Sequence, residues 1–521
     1  MTSLFLIYLS YWVPMIRIQL SLTPGDMGRD LYAFESVLHG FRPCRDYWWQ
    51  YGPLMLLYYA FWFLVGGVNL LSVRIGLGGI YFLCGFFSYA SLRLFTSAPV
   101  AWLASLAFLN FPMGWTFNHI GAVPFLLASV FCLWKFFLTR SLRWPYWGVL
   151  ALALATLVKT SIGIPCFLAF FVSLLAHNEF LRWRRTDPPP LAGKHYLFLG
   201  LLFFIFVGGI YTAMYAGLSL RELQQCLTIG PQYRRTLSSP WMNVKHLILR
   251  FVVWERIRLW GLGAFSLSMI LAGLAFKKRK MTGPQRDAIL AAGMSLVFYT
   301  LASSAEYITM GEVIYRFDFW FIPVLILVLG FLGEYVSSLF SRRWKITFGA
   351  LIFLALVGVP FWNVKEAFAH TKVPERYLNF PRGGVYVGGP LVSLRTIQDG
   401  SQFMKENAAK DQTFLAVPYE PLYCFLSERR HALSEMIFMV HMQIREDDEE
   451  KWIRELEAEQ VPWVLISNRY RSGEPGIGEF GKTHCKKLAA YIFDHYREVR
   501  TFGPWDSDPD KIHAIKVLKR A

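Results

Sequence analysis

Three aspartates, Asp26, Asp30 and Asp46, stand in the hydrophilic stretch SLTPGDMGRDLYAFESVLHGFRPCRDYWWQYGPLM, from Ser21 to Met55. Carboxylates take protons from hydroxyls or amines that come within hydrogen-bond reach. Trp48, Trp49, Tyr51, Tyr58 and Tyr59 accompany them. Tryptophan and tyrosine favour the membrane–water boundary because their rings are apolar while N–H and O–H still need water. The pattern therefore reads as carboxylates held at the rim of a membrane; the alternative is a solvated loop whose acids keep it soluble. Gly28 to Gly40 reads as a short amphipathic helix with Leu31, Phe34, Val37 and Leu38 on one side and Gly40 as its stop. On that reading Asp30 is a helix-start residue favoured by the dipole.

The elements that must position these acids are apolar. Of the 521 residues, 55% are hydrophobic and only 17% charged, against about 25% charged in a soluble domain. The chain reads as an α-helical polytopic membrane protein carrying some soluble mass. Its net charge of +17 does not point to nucleic acid, because Lys and Arg fall in short clusters between apolar runs, as in cytoplasmic loops. The seven cysteines show no CxxC spacing, which argues against a zinc site or a disulfide framework. The N-terminus carries no basic leader with a small-residue cleavage site, so Leu4–Leu20 is expected to be a retained span.

About eleven crossings are expected, with the short and very aromatic run Leu54–Val68 lying in the interface. With the N-terminus inside, Arg93, Arg140/Arg143, Arg182/Arg184/Arg185, Lys277–Lys280 and Arg342/Arg343 all fall on the cytoplasmic side. A first outer loop (21–53), the loop around His119, Lys159, a second outer loop (216–256) and the Glu306–Arg316 loop then fall outside. Letting Leu54–Val68 cross would reverse every later cluster. Arg29, Arg42 and Arg45 break the charge bias, and that excess points to a ligand. The division expected is a membrane domain over 1–361 and an outer α/β domain over 362–521. In the latter, TFLAVP, VPWVLIS and HAIKVLK read as buried strands alternating with helices near Gln402–Ala409, Asp447–Gln460 and Lys482–Tyr496.

The chain resembles the GT-C superfamily of membrane glycosyltransferases that use polyprenyl-phosphate-linked sugars, which includes protein O-mannosyltransferases, oligosaccharyltransferases and the transferase that adds aminoarabinose to lipid A. The likeness lies in GDMG followed by Tyr32, in HGFRPCRDYWWQYGPLM, in Lys159 at the end of a Gly/Ala-rich span, in RFDFWFIP (Arg316 to Pro323) and in the outer tail with YEPLYCFLSERR. It implies that Asp26 matches the first-loop aspartate acting on or beside the acceptor, while Asp46 occupies the position of a Tyr-Arg-Asp acid. A donor phosphate needs cations at the outer rim: Lys159 and Arg316 are the candidates, with Arg234 and Arg235 looser ones, against the alternative that rim cations are snorkelling anchors. Glu306 orients these cations or a sugar hydroxyl, or is a solvated loop acid. Asn118 and His119 stand where the family often carries a second acid. That departure leaves a metal held by paired acids in doubt: no cofactor is fixed, and a divalent metal stays open. His119 is a candidate for substrate binding or a plain interfacial hydrogen bonder.

The function expected is an inverting glycosyltransferase that moves a sugar from a polyprenyl-phosphate donor to a glycan, lipid or protein acceptor at the outer face of a bacterial inner membrane. The alternative is a transporter or flippase for a lipid-linked sugar, which needs ionisable residues or broken helices at mid-membrane.

Overall fold

The computed structural model describes residues 2–16, 18–19, 22–110, 117–183, 191–219, 283–310, 314–387, 390–439, 444–471 and 478–521. The membrane part is helical: α1 (Thr2–Met15), α2 (Asp26–Leu38), α3 (Leu54–Gly66), α4 (Leu70–Leu92), α5 (Ala98–Leu106), α6 (Phe117–Thr139), α7 (Arg143–Val158), α8 (Thr160–Trp183), α9 (Gly193–Met214), α10 (Gly283–Met310), α11 (Ile314–Leu339) and α12 (Arg342–Thr371). Among the described residues four helices are long and apolar enough to cross a membrane, namely α4, α6, α8 and α9. Eleven crossings are therefore not reached on that measure. Helix α1, at 14 residues, measures about 21 Å at 1.5 Å per residue, short of a hydrocarbon core of about 30 Å. Helix α3, at 13 residues, is shorter still and suits the interface better than a crossing. The expected span Leu259–Phe276 lies outside the described residues. On α9, Leu197, Phe204 and Ile205 point outward, as lipid-facing side chains of a span do.

The tail builds two sheets. Strands β1 (Ile18–Gln19), β2 (Tyr377–Phe380) and β3 (Gly383–Val387) form the first, in which β3 pairs antiparallel with β2 and parallel with β1. The second contains β4 (Thr413–Val417), β5 (Arg430–His431), β6 (Trp463–Ser467), β7 (Tyr496–Phe502) and β8 (Ile515–Arg520) in the order β5-β4-β6-β8-β7. Strand β4 runs parallel to β5 and β6, and β8 runs antiparallel to β6 and β7. The runs FLAV and WVLIS are buried throughout, as unbroken apolar strands covered on both faces must be. Helices α13 (Leu391–Asn407), α14 (Pro421–Ser427), α15 (Glu446–Ala458) and α16 (Lys486–His495) complete the α/β unit.

Helix α12 runs unbroken past 361/362 to Thr371, and β2 follows it. The tail also shares one continuous core with the first loop and the membrane helices, in which Leu31, Phe34, Leu378, Phe414 and Leu422 all take part.

Close backbone approaches clamp the first loop between these two parts. Leu422 N–H donates to Pro24 O at 3.2 Å, and a Cβ on Gly28 would overlap the Leu422 backbone. On the other side Gly52 N–H donates to Val158 O at 3.1 Å, and a Cβ on Gly52 would overlap the Leu157 carbonyl. Arg382, in the β2–β3 turn, ties the ends together: it pairs with Glu35 and donates to Val68 O and Phe425 O, while its own carbonyl accepts from Leu70 N–H. Gly52→Ala pushes a methyl into that carbonyl, and overpacking of this kind costs about 1–3 kcal/mol. Its thermal unfolding midpoint in detergent is expected to fall; an unchanged midpoint would show that the loop does not need this approach.

Candidate functional site

Helix α2 opens at Asp26 rather than at Gly28, so Asp26 occupies the first turn, where the dipole favours a negative side chain. Residues three and four positions on share its face, and these are Arg29 and Asp30. Arg29 Nη1 lies 3.0 Å from Asp26 Oδ1, while Arg29 Nε and Nη2 fork onto Asp30 Oδ1 at 2.9 and 2.7 Å. Arg29 is 3% exposed and Asp30 1%, whereas the Asp26 side chain keeps 39% of its surface. Tyr419, from the tail, donates to Asp26 Oδ1 at 2.6 Å and accepts from Arg29 Nη1 at 3.1 Å. Both donors use Oδ1; no hydrogen bond to Asp26 Oδ2 is made among the described residues. One oxygen is held twice, and the other makes no such bond.

The network continues inward from Asp30. Asn118 Nδ2 donates to Asp30 Oδ2 at 3.2 Å, and its neighbour His119 lies against Lys159, with Nζ to Nε2 at 2.6 Å. An ammonium has no lone pair to offer, so His119 Nε2 is the acceptor. Tyr51 spans the gap: the Arg29 guanidinium sits 5.1 Å from its ring centre, and the His119 ring centre is 6.2 Å away on an edge contact. Lys159 falls at a break. Helix α7 ends at Val158, Lys159 is extended (φ −153°, ψ 111°), and α8 begins at Thr160. The kink aims a buried cation at the loop instead of along a helix flank, and the α8 N-terminus adds positive potential beside it.

Burial pushes the Asp30 carboxyl up to about 7, with Arg29 pulling it down and Asp26 adding to the rise. Burial likewise lifts the Tyr419 phenol well above its ordinary range, so its proton stays on the bond to Asp26. Behind Tyr419, Glu420 is fully buried. Ser467 Oγ donates to its Oε1 at 2.6 Å, its Oε2 has no hydrogen-bond partner among the described residues, and His513 Nε2 stands 3.9 Å off. Burial pushes Glu420 up to about 7, against the pull of Arg469 and the Ser467 bond. A carboxyl whose folded value exceeds its unfolded one contributes stability that is full below about 4.3 and lost as pH rises through the folded value. The wild-type unfolding midpoint is therefore expected to drop between pH 5 and pH 8, and Glu420→Gln to drop less. Equal slopes would remove Glu420 from that account.

The sequence candidates divide as follows. Asp26, Asn118, His119 and Lys159 are brought into one network. Asp46 is not joined to it: this exposed acid accepts from Arg42 N–H at 2.7 Å and lies 3.8 Å from Arg45 in its own turn. Arg234 and Arg235 lie outside the described residues, as do the side chains of Glu306 and Arg316, whose backbones belong to α10 and α11. Asp30 is not the helix-start residue expected, since Asp26 takes that position and Asp30 turns inward to Arg29 and Asn118. Arg29, one of the three arginines whose excess points to a ligand, is instead bound between Asp26 and Asp30, a spacing that places all three on one helical face; Tyr51 carries no such signal in the sequence. Tyr419 carried no such signal, being 393 residues from its partner. Cys44 is disulfide-bonded, against the expectation from cysteine spacing, while Cys84, Cys132, Cys166, Cys424 and Cys485 are free.

No family model and no curated protein matches the chain. Solved structures do. The archaeal oligosaccharyltransferase AglB from Archaeoglobus fulgidus, in complex with an inhibitory peptide and a dolichol-phosphate, superposes with a TM-score of 0.52 at 12% identity, covering 100% of this chain and 74% of that one. The same organism's enzyme in complex with Zn and sulfate gives 0.54 at 13% identity, covering 94% and 71%. ArnT from Cupriavidus metallidurans, bound to undecaprenyl phosphate, gives 0.48 at 14% identity, covering 99% and 97%. In fold, a helical membrane part closed by an α/β tail, the chain is similar to the oligosaccharyltransferase of Archaeoglobus fulgidus.

Proposed function

We propose that this chain is an inverting glycosyltransferase of the GT-C type, moving a sugar from a polyprenyl-phosphate donor to an acceptor at the outer membrane face. The observation that carries the reading is Asp26. One of its oxygens is fixed by Arg29 and Tyr419, the other accepts no hydrogen bond among the described residues on a side chain that keeps 39% of its surface, and a connected network leads from it to the buried Lys159. The acceptor hydroxyl or amine gives its proton to Asp26 Oδ2, and the freed lone pair bonds to the anomeric carbon. The bond from that carbon to the phosphate oxygen breaks, and its electron pair leaves on polyprenyl phosphate. Phosphate is already a good leaving group, so the acceptor is where a base is needed. Lys159 and the α8 N-terminus balance the phosphate charge, and we assign Arg316 as the second phosphate cation. Arg234, Arg235 and Glu306 are assigned to donor binding.

Dolichol-phosphate and a peptide accompany the archaeal structure; a lipid-linked donor is the class assigned here. Zinc accompanies another, but the residues of this chain do not fit a metal between the acids, because Arg29 lies between Asp26 and Asp30. The first loop is assigned to the extracytoplasmic side with the tail, in a bacterial inner membrane. The disulfide-bonded Cys44 supports that side, since such bonds persist in oxidising compartments. The anomeric configuration of the product tests the reaction: nuclear magnetic resonance is expected to show it opposite to the donor's, and retention would contradict direct displacement.

A further inference from the structure

We propose that Arg29 is a built-in cation, occupying the place between two carboxylates where a divalent metal ion would otherwise bind, and that the centre works without a metal. Only the activity arm of the test below rests on the glycosyltransferase reading.

Asp26 and Asp30 lie one turn apart on α2, facing the same side. Two acids so placed repel each other and draw in a cation. The cation is supplied by the chain: the Arg29 guanidinium contacts Asp26 at 3.0 Å and Asp30 at 2.9 and 2.7 Å. It cannot be deprotonated at any pH the protein meets. Trp48, 5.8 Å from it, and Tyr51, 5.1 Å from it, close over its faces. A guanidinium in a fork of this kind is fixed by geometry as well as by charge.

The surrounding atoms make the same point. A metal needs lone pairs directed at it, whereas the groups facing these acids are donors. Asp30 Oδ2 receives the Asn118 amide, Asp26 Oδ1 receives the Tyr419 hydroxyl, and His119 Nε2 receives the Lys159 ammonium. Among the described residues no three His, Cys, Asp or Glu side chains converge as a ligand set. Asn118 stands where a further acid would supply one. The charge of the acid pair is thus balanced by a covalently attached group, and the balance does not depend on the ion content of the medium.

The test is Mn²⁺ titration of the full-length protein in detergent, read by electron paramagnetic resonance of the free ion, with Mn²⁺ alone as probe. Wild type is expected to show no Mn²⁺ site that Asp26→Asn abolishes. Arg29→Gln removes the charge and keeps much of the shape. It is expected to gain Mn²⁺ affinity by about 100-fold or more, since the ion then meets two unbalanced carboxylates. Adding Asp26→Asn to Arg29→Gln should erase the gain. A wild-type Mn²⁺ site lost in Asp26→Asn overturns the proposal, and so does a folded Arg29→Gln that binds no Mn²⁺. If Arg29→Gln does not fold, the comparison of wild type with Asp26→Asn decides alone. In the activity arm, wild-type transfer is expected to be the same in EDTA as in Mn²⁺; transfer lost in EDTA and restored by Mn²⁺ also overturns it. A wild type that transfers nothing under either condition counts against the glycosyltransferase reading, and the Mn²⁺ titration still decides the role of Arg29.

Discussion

Asp26→Asn is expected to lower sugar transfer by about 10²–10⁴-fold, the usual worth of a positioned general base, while polyprenyl-phosphate binding stays at the wild-type level. Asparagine keeps the shape of the side chain and an oxygen for Tyr419 and Arg29 to hold, but it cannot take the acceptor's proton. Asp46→Asn is the internal comparison. Asp46 shares the loop and the charge, yet its partners are Arg42 and Arg45 of its own turn, so its loss should leave transfer near wild type. Full transfer by Asp26→Asn with a dead Asp46→Asn would move the base to Asp46. Asp30 is a poorer base than either, because both of its oxygens already accept hydrogen bonds from Arg29 and Asn118.

Lys159→Met is expected to produce the complementary defect. A hydrogen bond to a charged group is worth about 1.5–3 kcal/mol, so affinity for polyprenyl phosphate should fall by roughly 10–150-fold. Methionine keeps the length of the lysine stem without its charge. The change removes the desolvation cost of the buried ammonium but takes its donor from His119 Nε2; the two effects oppose each other, so the unfolding midpoint should change little even as donor binding fails. Isothermal titration with undecaprenyl phosphate gives the affinity and a melting curve gives the control. Unchanged affinity would remove Lys159 from the phosphate site. A midpoint that collapses together with affinity would make Lys159 a structural residue, held in place by His119.

The two defects separate because the parts come from different elements, and those elements differ in how far the sequence shows them. Asp26 was legible from its setting: an acid after a Pro-Gly turn, ahead of an amphipathic helix and an aromatic cluster. The strands β4, β6 and β8 were legible as short apolar runs between helical stretches. Lys159 was legible as a lone cation in apolar sequence, and the break of helix at that residue explains how the protein uses it. The inward turn of Asp30 is not legible from a helix that starts at Gly28; the start at Asp26 places Arg29 between two acids. Tyr419 could not be found from the sequence at all. Its position depends on the docking of the tail against Gly25 and Gly28, a contact between segments almost four hundred residues apart. Among the described residues, runs such as Thr2–Met15 and Ala98–Leu109 form apolar helices shorter than a span, and four helices reach that length, so eleven crossings are not reached there.

The most direct measurement is transfer in proteoliposomes that carry a polyprenyl-phosphate sugar labelled in the sugar, with an acceptor fraction from bacterial envelopes added outside. For wild type the account predicts label in the acceptor together with an equal amount of sugar-free polyprenyl phosphate. For Asp26→Asn, which still binds the donor, it predicts neither. Donor that stays intact while wild-type protein carries it from one leaflet to the other would contradict the account and make the chain a transporter of the lipid-linked sugar.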